Sequence, residues 1–504
     1  MHDMIHFHAL ATPKKKAIID LHTGEAYDYR HADQRVSQIA SYLLKAADRK
    51  IGARVAVISR NSALMLLLHH ACERAGLIFV PLNWRLATPE VAALIEDAQP
   101  SVVIWQKEFE AHAEPAFAYA GEAGRIEIDG SGENLAQEEP ADFVMPEGID
   151  ENDPSTLLYT SGTSGKSKGV IITRKSLTYS TLNFALSAGV SKNSVSLCDM
   201  PLFHVAGLFA VARTPIFFGG SVVVSQKFDP VKTFENLTDP KLGITYYFCV
   251  TQMAALMREK NAPGAMKKLA HLDVLQTGGA PNPPASVKAW AEDSVRMVDG
   301  FGMTEIGSAF SMPPDDMSVI KNKAGSVGMP SPFTEGKVMN AEGKEAGPNE
   351  IGELWVRGPS VTAGYWNKPA ETAAAFEGEW LKTGDSARKD EDGFYYIVDR
   401  TKDMFISGGE NIYPVEVEAV LAEMPEILDC AVIGVPDEKW GEVGAAILLL
   451  KGGKKSLSAE AVIAFVKSRL AAYKAPKHVR FVDDLPRTPS GKVQKHKLRD
   501  SWTG

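Results

Sequence analysis

The segment Tyr159-Thr-Ser-Gly-Thr-Ser-Gly-Lys-Ser-Lys-Gly169 concentrates hydroxyl side chains and glycines between two apolar stretches, Thr156-Leu-Leu158 and Val170-Ile-Ile172. Glycine admits positive φ and close backbone approach, and Ser and Thr donate hydrogen bonds without bulk. Lys166 and Lys168 add positive charge. Together these types suit a loop whose N–H and O–H groups surround phosphate oxygens. It is not a Walker A loop, which would need glycine where Thr160 stands.

Further segments follow in order: Pro201-Leu-Phe-His204, Gly278-Gly-Ala-Pro281 and Asp299-Gly-Phe-Gly-Met-Thr-Glu305. Beyond them come Trp380-Leu-Lys-Thr-Gly-Asp385, Asp399-Arg-Thr-Lys-Asp-Met-Phe-Ile406, Ser407-Gly-Gly-Glu-Asn-Ile-Tyr-Pro414 and Pro486-Arg-Thr-Pro-Ser-Gly-Lys492. With these, nearly the whole chain resembles the adenylate-forming superfamily of acyl-CoA synthetases, luciferases and peptide-synthetase adenylation domains. It is most similar to the fatty- or aryl-acyl-CoA ligases.

The resemblance implies roles residue by residue. Thr160, Ser161, Gly162, Thr163, Ser164, Gly165 and Lys168 match the phosphate loop, with Ser167 where the family usually has Pro. His204 and Phe203 match the gate of the acyl pocket, which Phe209, Met253 and Gly278 would help to line. Gly279, Ala280 and Pro281 match the turn against adenine. Asp299, Gly300, Phe301, Gly302 and Met303 lead into Thr304 and Glu305, with Phe301 replacing the common Tyr. That exchange keeps the flat stacking face and loses a hydroxyl. Thr304 would contact the α-phosphate and Glu305 would bind Mg²⁺, which favours carboxylate and phosphate oxygens. Asp385 would accept both ribose hydroxyls, Arg400 would contact ribose or phosphate, and Lys402 stands at the hinge position. Gly408, Gly409 and Glu410 match the loop beside the pantetheine tunnel, Trp440 a position near the CoA nucleotide, and Lys492 the adenylation lysine.

The implied activity is a two-step ligation. A carboxylate attacks the α-phosphorus of ATP to give acyl-AMP and pyrophosphate, and the acyl group then passes to CoA. Lys492, Thr304, Glu305 and His204 form the expected catalytic set, with ATP, Mg²⁺ and CoA as cofactors or co-substrates. The segments expected to line the acid pocket, 196–212 and 245–256, hold no Lys or Arg but several aromatics. A second substrate carboxylate would want a cation there, so a fatty or aryl acid is expected over a malonate-like one. The alternative is a free-standing adenylation enzyme acting on an amino acid or a luciferase-like acid without CoA transfer. A non-catalytic relative is opposed by the intact Thr304, Glu305, Asp385, Arg400 and Lys492.

The elements that must position these residues are legible in outline. Val55–Ile58, Leu77–Pro81, Val102–Trp105, Ser221–Ser225 and Asp273–Gln276 read as buried strands. Helical patterns lie between them, including Val36 to Ala47 with one apolar stripe and Ser62–Cys72. Such alternation predicts layered α/β subdomains with largely parallel sheets. After Gly325 the texture becomes β-rich. From Arg400 the pattern resets as a small α+β unit, with helices at 414–423 and 459–470 and strands at 430–435 and 445–450. The expectation is a large N-terminal domain over 1–399, with 325–399 its β-rich part. A hinge at 400–402 and a mobile C-terminal domain over 403–504 complete it.

Composition narrows the partners. The 504 residues carry a net charge of −9, which argues against a nucleic-acid binder. Residues 400–504 hold 16 Lys and Arg against 14 Asp and Glu, a mildly basic unit on an acidic body. Four scattered cysteines suggest neither disulfides nor a zinc site and fit a reducing cytoplasm. The apolar stretch from His204 to Val224 is broken by Arg213, Pro215 and Gly219-Gly220, so no transmembrane segment is expected. The expected partners are the acid, ATP and CoA, and a homodimer is allowed.

Overall fold

The structure is a computed structural model. It describes residues 3–129, 135, 139–161, 167–280, 282–400, 403–407, 410–437, 440–451, 457–470, 472–488 and 492–503. The side chains of 161, 399, 400, 406, 410 and 411 lie outside that description.

Two large sheets carry the N-terminal body. The first runs Arg125–Ile128, Val102–Gln106, Arg54–Ile58, Ile78–Pro81, Pro154–Ser161, Ser167–Thr173 in spatial order. Its first five strands are parallel, and the last two form an antiparallel hairpin. Among the described residues the second sheet has nine strands, of which Met297–Met303, Val274–Gly278, Tyr246–Cys249, Val195–Cys198, Ser221–Val224 and Lys16–Asp20 are consecutive parallel neighbours. Antiparallel strands close both edges.

Period-two burial explains why short apolar runs serve here. Val55 and Val57 join one core with Leu177 and Phe184, while Ala56 and Ile58 join another with Leu94 and Trp105. A strand covered on both faces needs apolar residues at every position. The helices between strands start where a side chain can satisfy orphan N–H groups. Ser62 accepts from Met65 N ahead of Ala63–Ala75, and Thr173 accepts from Ser176 N ahead of Arg174–Ala188.

The apolar stretch after His204 folds as a π-helical run, Ala206–Arg213, followed by Thr214–Phe217 and the strand Ser221–Val224. Arg213 is buried there, donating to Glu73 at 2.8 Å and to Thr181 at 2.9 Å. No helix among the described residues is long and apolar enough to cross a membrane.

After Gly325 the chain forms an antiparallel sheet from Glu335–Met339, Gly352–Arg357, Trp380–Lys389, Phe376–Glu377 and Tyr395–Arg400. The strands from Phe405 onward build a separate sheet around the hairpin of Ile427–Asp437 and Gly441–Leu450. One face of that hairpin packs Val432, Ala446 and Leu448 under the helices Pro414–Leu421 and Ala459–Lys467. The other face packs Ile433, Ala445 and Ile447 against Leu485 and Leu498. The fold is a large mixed α/β N-terminal domain followed by a small C-terminal one.

Candidate active site

A cleft of about 2100 Å³ opens at the carboxyl ends of the parallel strands and takes lining from both domains. That is where an open α/β sheet ordinarily receives a ligand. Three walls can be distinguished by their chemistry.

The wall expected to face phosphate starts with the hairpin Pro154–Ser161 and Ser167–Thr173, in which Thr160 pairs with Lys168. Thr160 and Lys168 both line the cleft. Gly162, Thr163, Ser164 and Gly165, the tip of the expected phosphate loop, lie outside the described residues, as does the Ser161 side chain. Lys168 Nζ sits 4.8 Å from the centre of the Tyr365 ring, and Tyr365 donates its hydroxyl to Glu305 Oε1 at 3.2 Å. Burial and the Glu305 carboxylate push the Tyr365 hydroxyl well above its ordinary value, so it stays a donor. Glu305 is further fixed through its carbonyl, which accepts from Thr362 N at 2.7 Å. Tyr365 is an unanticipated member of the site. Its only sequence signal was an aromatic pair, Tyr365-Trp366, which looks like ordinary packing.

The wall expected to face the nucleoside is made by strand ends and a turn. Gly279 adopts a φ of 85°, a conformation an L side chain rarely takes, and it lines the cleft with Ala280. Pro281 lies outside the described residues. Asp299 is buried, accepts from Thr277 Oγ1 at 3.0 Å, and is pushed by burial up to about 8. Asn282 donates to the same Thr277 hydroxyl at 2.9 Å, and its Oδ1 is buried with no hydrogen-bond partner among the described residues. Phe301, Gly302, Met303 and Thr304 continue the lining. Across the cleft, Asp385 also lines it, paired in register with Arg400. The Arg400 side chain and Lys402 lie outside the described residues.

The wall expected to face the acyl group is different in kind. Phe203, His204 and Phe209 line the cleft there, together with Phe184 and Phe248. Gly278, Gly300, Gly302 and Gly307 contribute backbone only. A Cβ on Gly302 would stand 2.3 Å from the Gly307 carbonyl, and one on Gly307 would stand 2.3 Å from Ser180 Oγ. This wall can be no thicker than the peptide itself. Met253 is half-buried and packs against the core beside the cleft, while Thr251, Gln252, Ala255 and Leu256 of the same helix, Thr251–Lys260, line the cleft and Ala254 and Met257 face inward. Tyr247 likewise turns away, donating to the buried Asp199 at 3.1 Å.

The C-terminal domain closes the mouth. Lys492 reaches the cleft, its Cε 3.8 Å from where a Cβ on Gly279 would stand. A reciprocal pair holds its backbone: Lys492 N donates to Thr488 Oγ1 at 3.1 Å, and Thr488 N donates to the Lys492 carbonyl at 2.7 Å. Burial, reinforced by the Lys492 ammonium, lowers His204 to about 4, so the imidazole is neutral at physiological pH. By contrast, the strands Phe405–Ser407 and Glu410–Ile412 contribute no described residue to the cleft. Gly408, Gly409 and the Glu410 side chain lie outside the description. Trp440 is 41% exposed, away from the cleft, with Lys477 Nζ 5.5 Å from its ring centre.

Known proteins agree with this architecture. Residues 6–366 match the model of the AMP-binding enzymes, and residues 416–492 match that of the AMP-binding enzyme C-terminal domain. A feruloyl-CoA synthase of Amycolatopsis sp is 38% identical over 483 residues, covering 95% of this chain and 94% of the relative. An indoleacetate–CoA ligase of Aromatoleum aromaticum is 33% identical over 502 residues, covering 95% and 96%. The solved o-succinylbenzoate CoA synthetase of Bacillus subtilis, in complex with its acyl-adenylate, superposes with a TM-score of 0.87 at 30% identity, covering 100% of this chain and 99% of that one. The chain thus belongs to the AMP-binding enzyme family, as an adenylate-forming enzyme of the acyl-CoA ligase type.

Proposed function

We propose that the chain is an AMP-forming acid–CoA ligase whose acid is aromatic, built on residues in the following roles. The observation that carries the reading is the placing of Lys492 beside Gly279 in the cleft that His204 also lines, where the acyl wall joins the nucleoside wall. A carboxylate seated against the glycine wall would there approach the α-phosphorus of ATP. The protein's task is to hold the two reactants in line and neutralise crowded oxyanions. Lys492 serves both ends as a flexible ammonium between carboxylate and α-phosphate oxygens. Thr304 and Lys168 steady the phosphates. Neutral His204 gates the pocket without adding a second cation beside Lys492.

Glu305 fits a magnesium ligand: one carboxylate lining the cleft beside Thr304, as an ion otherwise held by phosphates and water requires. When bound, Mg²⁺ would offset charge on the pyrophosphate leaving group. Tyr365 and Lys168 keep the Glu305 carboxylate oriented toward that place.

Thioester formation needs another arrangement. Lys492 occupies the mouth, while the strands flanking Gly408-Gly409 stand outside it. Rotation of the C-terminal domain about 400–402 would exchange the two, with Trp440, Lys474, Lys477 and Arg480 on the side offered to CoA. The flat, glycine-walled slot with Phe184, Phe203, Phe209 and Phe248 favours a ring over a long flexible chain. The names of the relatives, feruloyl-CoA synthase and indoleacetate–CoA ligase, point the same way. Four unpaired cysteines suit a reducing compartment, and the cytoplasm is the proposed location.

Acid-dependent ATP–pyrophosphate exchange across aryl, fatty and amino acids tests the first step. AMP release with and without CoA tests the second. The expected result is exchange with aryl acids and CoA-dependent turnover. Exchange without any response to CoA would favour a free-standing adenylation enzyme instead.

A further inference from the structure

The deep end of the acyl slot holds a polar group that the adenylation chemistry does not use. Gln276 is only 4% exposed yet lines the cleft. It lies on the strand Val274–Gly278, two residues before Gly278, so its side chain leaves the same face about 6–7 Å deeper. Its carboxamide is fixed from behind. Tyr246 donates its hydroxyl to Gln276 Oε1 at 2.5 Å, and Gln276 Nε2 donates to Ser311 Oγ at 3.4 Å. The amide then crosses to the neighbouring strand, where a Cβ on Gly300 would stand 2.5 Å from Nε2. Gly300 itself lines the slot, so the amide fills the space a side chain at 300 would take.

Aromatic rings frame this floor. Phe248 approaches Gly278, its Cζ 3.1 Å from the place of a Cβ there, and Phe184 packs against both Phe248 and Tyr246. A substrate ring entering beside Gly278 and Gly300 would therefore present its far edge to Gln276.

Resting on the aryl-acid reading above, we propose that Gln276, braced by Tyr246 and Ser311, is a specificity-determining residue that hydrogen-bonds a hydroxyl on the distal edge of the substrate ring. A carboxamide both donates and accepts, which a phenolic hydroxyl can answer in either sense. Tyr246, Gln276 and Ser311 are uncharged, so this floor lacks the cation a second carboxylate would need. An unsubstituted ring would press a desolvated amide against C–H groups and gain no partner for it.

The test compares cinnamate with 4-hydroxycinnamate in steady-state turnover with saturating ATP and CoA. The native protein should favour the hydroxylated acid by about 10- to 100-fold in kcat/KM. Gln276→Leu should reduce that ratio to about threefold or less, mainly through KM for the hydroxylated acid, with KM for ATP unmoved. Tyr246→Phe should reduce it by an intermediate factor, since it removes the brace and keeps the ring. Thermal unfolding checks that both variants are folded. An undiminished ratio in folded Gln276→Leu would overturn the proposal. So would equal losses on both acids, or the absence of a preference in the native protein. Failure of the aryl-acid reading is separately visible, as native protein that gives pyrophosphate exchange with fatty or amino acids and with no aryl acid.

Discussion

On the nucleotide side of the cleft, Thr304, Glu305, Asp385 and Lys168 present charge and hydroxyls to the space between the domains. On the acyl side, Gly278, Gly300 and Gly302 present bare backbone, and the shape is set by rings and an amide standing behind them. The same two strands, Val274–Gly278 and Met297–Met303, serve both sides. On the proposed roles, nucleotide recognition depends on what the side chains are, and acid recognition on where side chains are missing. The first arrangement should tolerate little change whatever the acid, and the second should respond differently to each acid.

Lys492→Ala tests the boundary between the two walls and should have the largest effect. Pyrophosphate exchange should fall about 1,000-fold with every acid, as for loss of a central oxyanion-stabilising donor. Thioester formation from supplied acyl-AMP should largely survive, and equal loss of both half-reactions would refute the role. Glu305→Gln should lower exchange by about 100-fold and raise the magnesium requirement, uniformly across acids. An effect confined to one acid would break the division between walls. Tyr365→Phe removes one hydrogen bond to that carboxylate and should cost about tenfold, again without regard to the acid.

Gly300→Ala probes the opposite wall. The new methyl group would meet Gln276 Nε2 at 2.5 Å and push the amide aside. KM for ring acids should rise several-fold while KM for ATP stays, measured in the same exchange assay. The smallest effect concerns pH. A folded value of about 4 for His204 lies below the roughly 6.5 of an unfolded histidine. Between those values the unfolded chain binds more protons, so His204 contributes stability that is complete above about pH 6.5 and is lost as pH falls toward 4. Asp299, raised to about 8, has the opposite sign: its contribution is complete at acid pH and is lost as pH rises through 8. Asp299→Asn should flatten the decline in the thermal midpoint between about pH 4 and 8, and His204→Gln the loss on acidification from about pH 6.5 toward 4.

Much of the architecture was legible from local pattern. Val55–Ile58, Val102–Trp105 and Ser62–Cys72 fall within or beside observed elements because parallel strands buried on both faces must be apolar throughout. The change to a β-rich texture after Gly325 corresponds to the antiparallel sheet that follows. Phosphate-side residues such as Thr160, Lys168, Thr304 and Asp385 stood out because glycine, hydroxyl and charge in tight spacing have few other uses. The sequence leaves the direction of Met253 open, because an apolar residue on a helix beside the pocket can face either way, and the folded helix leaves it half-buried at the edge of the core.

The chain's own order of residues thus determined the family and which charges are proposed to meet the nucleotide, because side-chain chemistry carried on short, recognisable turns is legible locally. Which faces become the acid pocket was decided only in the folded molecule. Gln276, Tyr246 and Ser311 come from three strands of one sheet, and Tyr365 reaches Glu305 across 60 residues of sequence. A single glutamine in an apolar run gives no sign of its partners. Its meaning arises when parallel pairing sets Gly278 beside Gly300 and leaves the space that the amide fills.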